Sequence, residues 1–377
     1  MRRAWMAVTA LLVSATSVAA QQEVGVNTAV LFERYDFDSG VDFSSVSQLS
    51  VPITASATLG RAGVLTLSSG FTRIDVGGTG PDGEGELSLS GLVDTEARLV
   101  VPVVTDRVSL LFTAVAPTGI EALAVNEGPI LTALTSQVIG FSTANLGAGG
   151  AAGAGVAGAV PVGRMALGVS GSYTHALAYE PLLGQAEEWK PGDELRIRAG
   201  LEGAVADNTY LRIASILAIR QDDRLDGKDQ GAAGNRLHGY VAVNQGVGPS
   251  TLTVYLFDSY RSAPRVEPTA VGAVLLPKAN LLGVGAKFIV TVARETRVMP
   301  RIEYRRLSEA ARDDTGDGSL ESAGSTIRFG ADLKHPLNRN LALVLEANGL
   351  FGDVGNLQGG EVGMSGFRGG IQLEYRR

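Results

Sequence analysis

Leu49-Ser-Val-Pro-Ile-Thr-Ala-Ser-Ala-Thr-Leu59 alternates apolar and small polar residues without a break. Leu49, Val51, Ile53, Ala55, Ala57 and Leu59 fall on one face, and Ser50, Pro52, Thr54, Ser56 and Thr58 on the other. A period of two belongs to a β-strand with one apolar and one wet face. About ten such residues, tilted, cross a bilayer. The stretch predicts Leu49, Val51 and Ile53 towards lipid and Ser50, Thr54 and Ser56 towards a lumen.

The alternation returns elsewhere with charge on the polar face. Val93, Thr95, Ala97, Leu99 and Val101 alternate with Asp94, Glu96 and Arg98. Leu195, Ile197, Ala199 and Leu201 alternate with Arg196, Arg198 and Glu202. Val298, Pro300, Ile302 and Tyr304 alternate with Arg301, Glu303 and Arg305, and Ile327, Phe329, Ala331 and Leu333 with Arg328 and Asp332. Arginine facing lipid at the midplane costs about 2–4 kcal/mol, so these faces are predicted to line a lumen. The candidate pore-lining residues are Glu96, Arg98, Arg196, Arg198, Glu202, Arg212, Arg301, Glu303, Arg305 and Arg328. Arginine rings favour anions in pores. Mixed signs at alternate positions equally suit salt bridges that hold a wall together. A soluble sandwich would put the charged faces in water, but has little need of so many long hairpins in one series.

Short turns are read at 59–63, 104–107, 161–164, 206–208, 246–249, 294–297 and 336–340, each dense in turn formers. Longer connections fall near 37–46, 77–86, 119–140, 179–192, 221–235, 263–277, 308–323 and 353–361. Short turns at one end and long loops at the other are the asymmetry of an outer-membrane barrel, and this series gives about sixteen strands, with fourteen as the alternative. The fold expected is an all-β, antiparallel, up-and-down transmembrane barrel over residues 21–377.

Residues 1–20 read as a signal peptide: Arg2 and Arg3, an apolar run from Ala4 to Val18, and Val18-Ala19-Ala20 as a cleavage site. The run is shorter than the roughly 20 residues a membrane anchor needs. The chain has no cysteine, which excludes disulfides and thiolate metal sites. Its formal charge of −7 disfavours nucleic acid, which needs a basic stripe. Acidic residues gather in predicted loops at Glu187, Glu188, Asp222, Asp223, Asp313, Asp314 and Asp317. They suit loop solubility or divalent cations bridging lipopolysaccharide. Phe367, Gly369, Ile371, Leu373 and Tyr375 form a C-terminal alternating strand, of the kind that barrel assembly machinery reads, although Arg376 and Arg377 follow the aromatic.

Gly91-Leu-Val-Asp94, the turn Thr105-Asp-Arg107 and Ala116-Pro-Thr-Gly119, with Tyr179-Glu-Pro181 and Trp189-Lys-Pro-Gly-Asp193, carry a resemblance. The chain resembles outer-membrane barrels linked to phenol-degradation pathways, distant relatives of the long-chain fatty acid transporters. The resemblance implies uptake of small solutes, apolar or aromatic ones among them, in the outer membrane of a Gram-negative bacterium. It departs from the fatty acid transporters in having no room for an N-terminal plug, because the first strand begins near Val24. Any gate must then come from a loop. Within 119–140, Pro129–Ile139 forms either an inward helix or constriction, or an external loop on the rim.

Other motifs are weaker. Gly153-Ala-Gly-Val-Ala-Gly158 matches a dinucleotide fingerprint, but Pro161 blocks the helix that would hold a pyrophosphate. The run from Gly147 to Gly158 reads instead as a strand with a small lumen face. Asp313-Asp-Thr-Gly-Asp-Gly318 lacks ligands of a calcium loop, with Gly324 where the bidentate Glu belongs. His175, His238 and His335 come with no nucleophile motif, so no catalytic residue, metal or cofactor is expected. A passive outer-membrane porin is the leading reading. The alternatives are a barrel hydrolase acting on lipid or peptide, and a structural or adhesive barrel with a closed lumen.

Overall fold

The computed structural model describes residues 23–377 except 42, 80–84, 106, 121, 135, 184–185, 267–275, 294, 311–316 and 356–359. The signal-peptide reading and most of the calcium-loop candidate lie outside the described residues. The strands are β1 (Val24–Phe37), β2 (Ser45–Thr58), β3 (Val64–Thr79), β4 (Gly85–Val104), β5 (Val108–Ala116), β6 (Ala151–Val162) and β7 (Met165–Ala176). There follow β8 (Trp189–Lys190), β9 (Glu194–Ala206), β10 (Thr209–Arg220), β11 (Asp223–Leu225), β12 (Lys228–Ala232), β13 (Arg236–Val247), β14 (Ser250–Arg261) and β15 (Arg265–Val266). The last are β16 (Ala279–Ala293), β17 (Thr296–Ala310), β18 (Leu320–Pro336), β19 (Leu341–Gly355) and β20 (Glu361–Arg376).

Among the described residues, all but β8, β11, β12 and β15 form one closed sixteen-stranded antiparallel barrel, each strand beside its chain neighbour. β1 closes it against β20 from Gly25↔Arg376 to Phe37↔Met364. Closure pairs every strand edge, which lipid requires because it offers the backbone no hydrogen bonds. No described helix is long and apolar enough to cross a membrane. The one α-helix described, Gly128–Leu134, belongs to a loop, and no plug-like domain is present among the described residues.

The outer surface is an apolar belt. Phe32, Phe112, Val156, Ile197, Val254, Val284, Ile302, Ile327 and Ile371 are all exposed around the circumference. An apolar surface this extensive is stable only against lipid. The inner surface takes the alternate residues. Register sets Leu49 opposite Phe32 on the outside and Ser50 opposite Leu31 on the inside, and Ser50 is buried. The small face of β6 also points inward, with Gly153 beside Thr113 and Thr174.

Two departures from simple alternation shape the interior. The register between β3 and β4 shifts at Ser68/Gly70, so that Val93 opposes Gly70 while Glu96 opposes Ser68. This irregularity reverses the inward parity within β4, so Val93 shares the inner side that the uniform alternation gave to Asp94. At the outer ends of β1 and β3 the polarity inverts: Arg34–Asp36 and Arg73–Asp75 are exposed pairs, while Tyr35, Ile74 and Val76 are buried inside. These strand ends extend beyond the length needed to span lipid. Water therefore reaches their outer face, while a loop fills the lumen beside them.

Three of the long connections are not separate loops. β8, β11, β12 and β15 form a second small sheet, in the order β15-β12-β11-β8, joining the 177–193, 221–235 and 262–278 connections. Arg265–Asp222 at 2.9 Å and the Gly192 amide on Asp223 at 2.6 Å tie it further.

The belt assignment has a direct check. Val254→Arg should lower stability by about 2–4 kcal/mol in denaturant unfolding from lipid, whereas Arg198→Val on the inner face should cost far less. Equal losses would overturn the inside–outside assignment.

Candidate solute pathway and its constriction

The connection between β5 and β6 runs into the lumen. Its two ends meet at one carboxylate in the β4 irregularity: Asp94 accepts the Gly119 amide at 2.9 Å and the Ala148 amide at 2.8 Å. Between them, Ile130, Ala133, Leu134, Val138, Ile139, Phe141 and Leu146 are buried against Tyr35, Val46, Ile74, Val76, Leu307, Leu350 and Met364. The hydrophobic core of this protein thus lies inside the barrel. Of the two readings of 119–140, the structure takes the inward one, with a short helix.

Past the helix, the loop has no strand partner, and wall side chains satisfy its backbone instead. Four consecutive carbonyls are each taken. Gln137 O accepts from Arg305 at 3.5 Å, Val138 O from Thr326 at 3.1 Å, Ile139 O from Arg328 at 2.6 Å and Gly140 O from Arg368 at 2.7 Å. Gly140 has φ +64°, a conformation that favours glycine, and a Cβ there would stand 2.2 Å from an Arg305 nitrogen and push that guanidinium aside. Beyond it, the buried Glu33 accepts the Ser142 amide and Tyr35 Oη, each at 2.7 Å, and Arg368 at 2.6 Å. Gln48 both accepts from and donates to the Thr143 backbone, at 2.9 and 2.7 Å, and Ser50 Oγ lies 2.9 Å from Thr143 Oγ1.

The predicted lumen residues divide by partner. Arg305 and Arg328 hold the loop. Arg301 joins Glu346 at 2.6 Å, Asp332 at 3.5 Å and Asn348 at 2.7 Å. Glu303 accepts from Tyr255 Oη and Arg305, both at 2.7 Å, and the Tyr255 and Phe257 rings lie over Gly285 and Gly283, where a Cβ would collide with them. Arg212 pairs with Glu202 at 2.8 Å. The side around β17, β18 and β19 is thus a charge-balanced network, while the Arg212–Glu202 pair lies across from it on β10 and β9.

The opposite side is not balanced. Arg196 and Arg220 share one carboxylate, Glu194. Arg98, Arg198 and Arg236 make no ion pair or hydrogen bond among the described residues. The charges acting on Arg198 are Arg196, Arg98 and Glu194, and those acting on Arg236 are Arg220, Arg261, Glu194 and Arg196. A cationic wall on β4, β9, β10, β13 and β14 therefore faces a wall packed with the loop. Glu96 lies on this wall too, at the register position opposite Ser68.

Glu33, Gln48, Arg368 and Arg236 were not among the sequence candidates. Arg368 stands on the polar face of the C-terminal alternation, and that position was its signal. Nothing local marks Glu33 or Gln48, because their partner is a loop about a hundred residues away.

Two of the three histidines, His335 and His175, have hydrogen-bond partners. His335 Nδ1 lies 2.8 Å from Thr296 Oγ1 beside a short turn. His175 Nδ1 lies 2.9 Å from Asp193 Oδ2 on the outer side of the wall, while register turns Ser172 and Thr174 to the lumen. No serine or threonine hydroxyl is hydrogen-bonded to His175 among the described residues, and Tyr173 Oη donates to Asp193 at 2.5 Å. Burial alone would raise the Asp193 pKa. The bonds from Tyr173, His175 and the Ala176 amide, with Lys190 at 3.9 Å, outweigh it and hold the carboxyl down at about 2. No cluster of metal-ligating residues occurs among the described residues.

No family model and no curated protein matches the chain. Solved structures with some likeness include OccAB3 of Acinetobacter baumannii, 9% identical, covering 95% of this chain and 100% of that one, with a TM-score of 0.48. OpdK of Pseudomonas aeruginosa is 10% identical, with 95% and 99% covered and a TM-score of 0.46. OmpF of Salmonella typhi is 12% identical, with 94% and 97% covered and a TM-score of 0.43. The fold assignment stands on the closed strand order, not on these likenesses.

Two outcomes follow from this geometry. Glu33→Ala leaves the Arg368 charge without its carboxylate and the Ser142 amide without its acceptor, and should cost about 3–5 kcal/mol in urea unfolding while exposing 137–146 to added protease. A loop as resistant as in the parent would refute the anchor. Asp193, with its depressed pKa, contributes stability above its unfolded value of about 3.9, lost as pH falls through about 2. Carboxyl NMR should place its midpoint near that lower value; a midpoint at the ordinary value would break the assignment.

Proposed function

We propose that the chain is a passive channel of a Gram-negative outer membrane. Small solutes diffuse through its lumen, narrowed by the 119–146 loop and biased towards anions by the cationic wall. The observation that carries this reading is the excess of guanidiniums on one wall: among the described residues Arg98, Arg198 and Arg236 make no ion pair, and Glu194 is the carboxylate that acts on both Arg198 and Arg236. A wall of one sign raises the local concentration of the opposite ion. Glu96, Arg196, Glu202 and Arg212 tune that wall. Arg301, Glu303, Arg305 and Arg328 act instead by holding the barrel and the loop in shape.

Lipid and lipopolysaccharide acyl chains cover the belt in this reading, and Arg34–Asp36 and Arg73–Asp75 meet the headgroups. The alternating strand ending near Tyr375 is the segment the assembly machinery would engage. Apolar and aromatic solutes, implied by the resemblance to phenol-pathway barrels, are the first to try in liposome swelling.

Reversal potentials across a planar bilayer under a KCl gradient test the proposal. The expected result is anion preference that falls in Arg98→Ala/Arg198→Ala, while Arg301→Ala loses stability with little change in selectivity. A bilayer that stays sealed at all voltages would overturn the channel, and cation preference would overturn the role of the wall.

A further inference from the structure

A chamber of about 320 Å³ opens between the loop and the cationic wall, lined by Gln137, Arg236, His238, Ser259, Arg261 and Leu281. That volume falls within the range of ligand-binding cavities. Its lining comes from three barrel strands and from the loop. His238 and Ser259 are direct register partners on β13 and β14, and Arg236 and Arg261 are partners two residues further along the same strands. Two guanidiniums therefore sit side by side above a ring nitrogen and a hydroxyl.

The two guanidiniums are not equivalent. Arg261 is buried, donates to Pro277 O at 2.8 Å and reaches Glu309 at 3.4 Å. Arg236 has no such partner among the described residues, and its charged neighbours include three further arginines against one carboxylate, Glu194. A cation held among cations, with a cavity before it, is stabilised most by an anion entering that cavity.

We infer that this chamber is a binding site for a small organic carboxylate within the solute pathway. The planar fork of Arg236 matches two carboxylate oxygens. Ser259 and His238 supply flanking hydrogen-bonding atoms, and Gln137 supplies an amide from the constriction loop. The buried Leu281 gives the body of the acid an apolar surface. Because Gln137 O is also held by Arg305, occupancy of the chamber touches the segment that fixes the constriction.

The inference rests on the channel reading, and the test separates the two. Benzoate is the probe, with benzamide as its neutral counterpart and inorganic phosphate as a second anion. Binding is measured by calorimetry on the full folded barrel in detergent, where no conductance is needed, and then as current blockage in bilayers. Benzoate should bind and benzamide should not. Arg236→Ala should weaken benzoate by roughly tenfold or more, the loss of one charge-assisted pair, with Arg236→Lys intermediate. Arg34→Ala, on the outer face, should leave binding unchanged. If benzamide equals benzoate, or Arg236→Ala binds as the parent does, the site is refuted. If phosphate matches benzoate, the carboxylate assignment is refuted. A sealed bilayer with intact benzoate binding would refute the channel and leave the site standing.

Discussion

The seam between β1 and β20 is the contact on which the rest of this molecule depends. Closure there gives the outermost strands their hydrogen-bond partners, without which the sheet would present two open edges to lipid. At this seam Glu33 and Arg368 are direct register partners and form a buried ion pair. A buried pair of this kind is poorly repaid unless its remaining hydrogen-bonding capacity is used. Here the loop uses it, through the Ser142 amide on Glu33 and Gly140 O on Arg368. Barrel closure and loop placement are thus one interaction.

From that anchor the lumen becomes asymmetric. Wall strands β1–β3 and β16–β20 spend their inward residues on the loop: aliphatic side chains on its helix, and arginines, Gln48 and Thr326 on its backbone. The wall from β4 to β14 keeps its small and cationic inward residues for the remaining space. Gly153 and Gly155 on β6 leave room there, and Arg98, Arg198 and Arg236 leave charge. The four-stranded outer sheet ties three connections together beyond the barrel's end.

Much of the barrel is legible in the chain because lipid and water impose a strict alternation on each strand. Residues 49–58, 195–202 and 298–305 have the same inside and outside in the structure that their pattern suggests, and Leu59 falls just past the end of β2. The break in β4 is less legible, since Val93-Asp94-Thr95 carries no glycine or proline to mark a register shift. The inversion at Tyr35 and Ile74 is hidden for another reason. Alternation shows that two faces differ, but which one is wet depends on where lipid ends and where the loop lies. The partition of the lumen arginines was illegible too. Arg198 and Arg328 look alike in sequence, yet among the described residues Arg198 makes no ion pair or hydrogen bond and Arg328 meets Ile139 O.

The sequence by itself determined an all-β, antiparallel barrel with short turns at one end, because a period of two is a local property of each strand. It also placed the inward-facing charges on particular strands. Only the tertiary structure decided that the 119–146 connection enters the lumen, that Glu33, Gln48 and Arg368 hold it there, and that the outer connections share a sheet. Those contacts join residues tens to hundreds of positions apart, and their energy comes from burying backbone and side-chain groups that no local pattern pairs. The division of the arginines into anchors and unpartnered charges follows from where the loop came to rest.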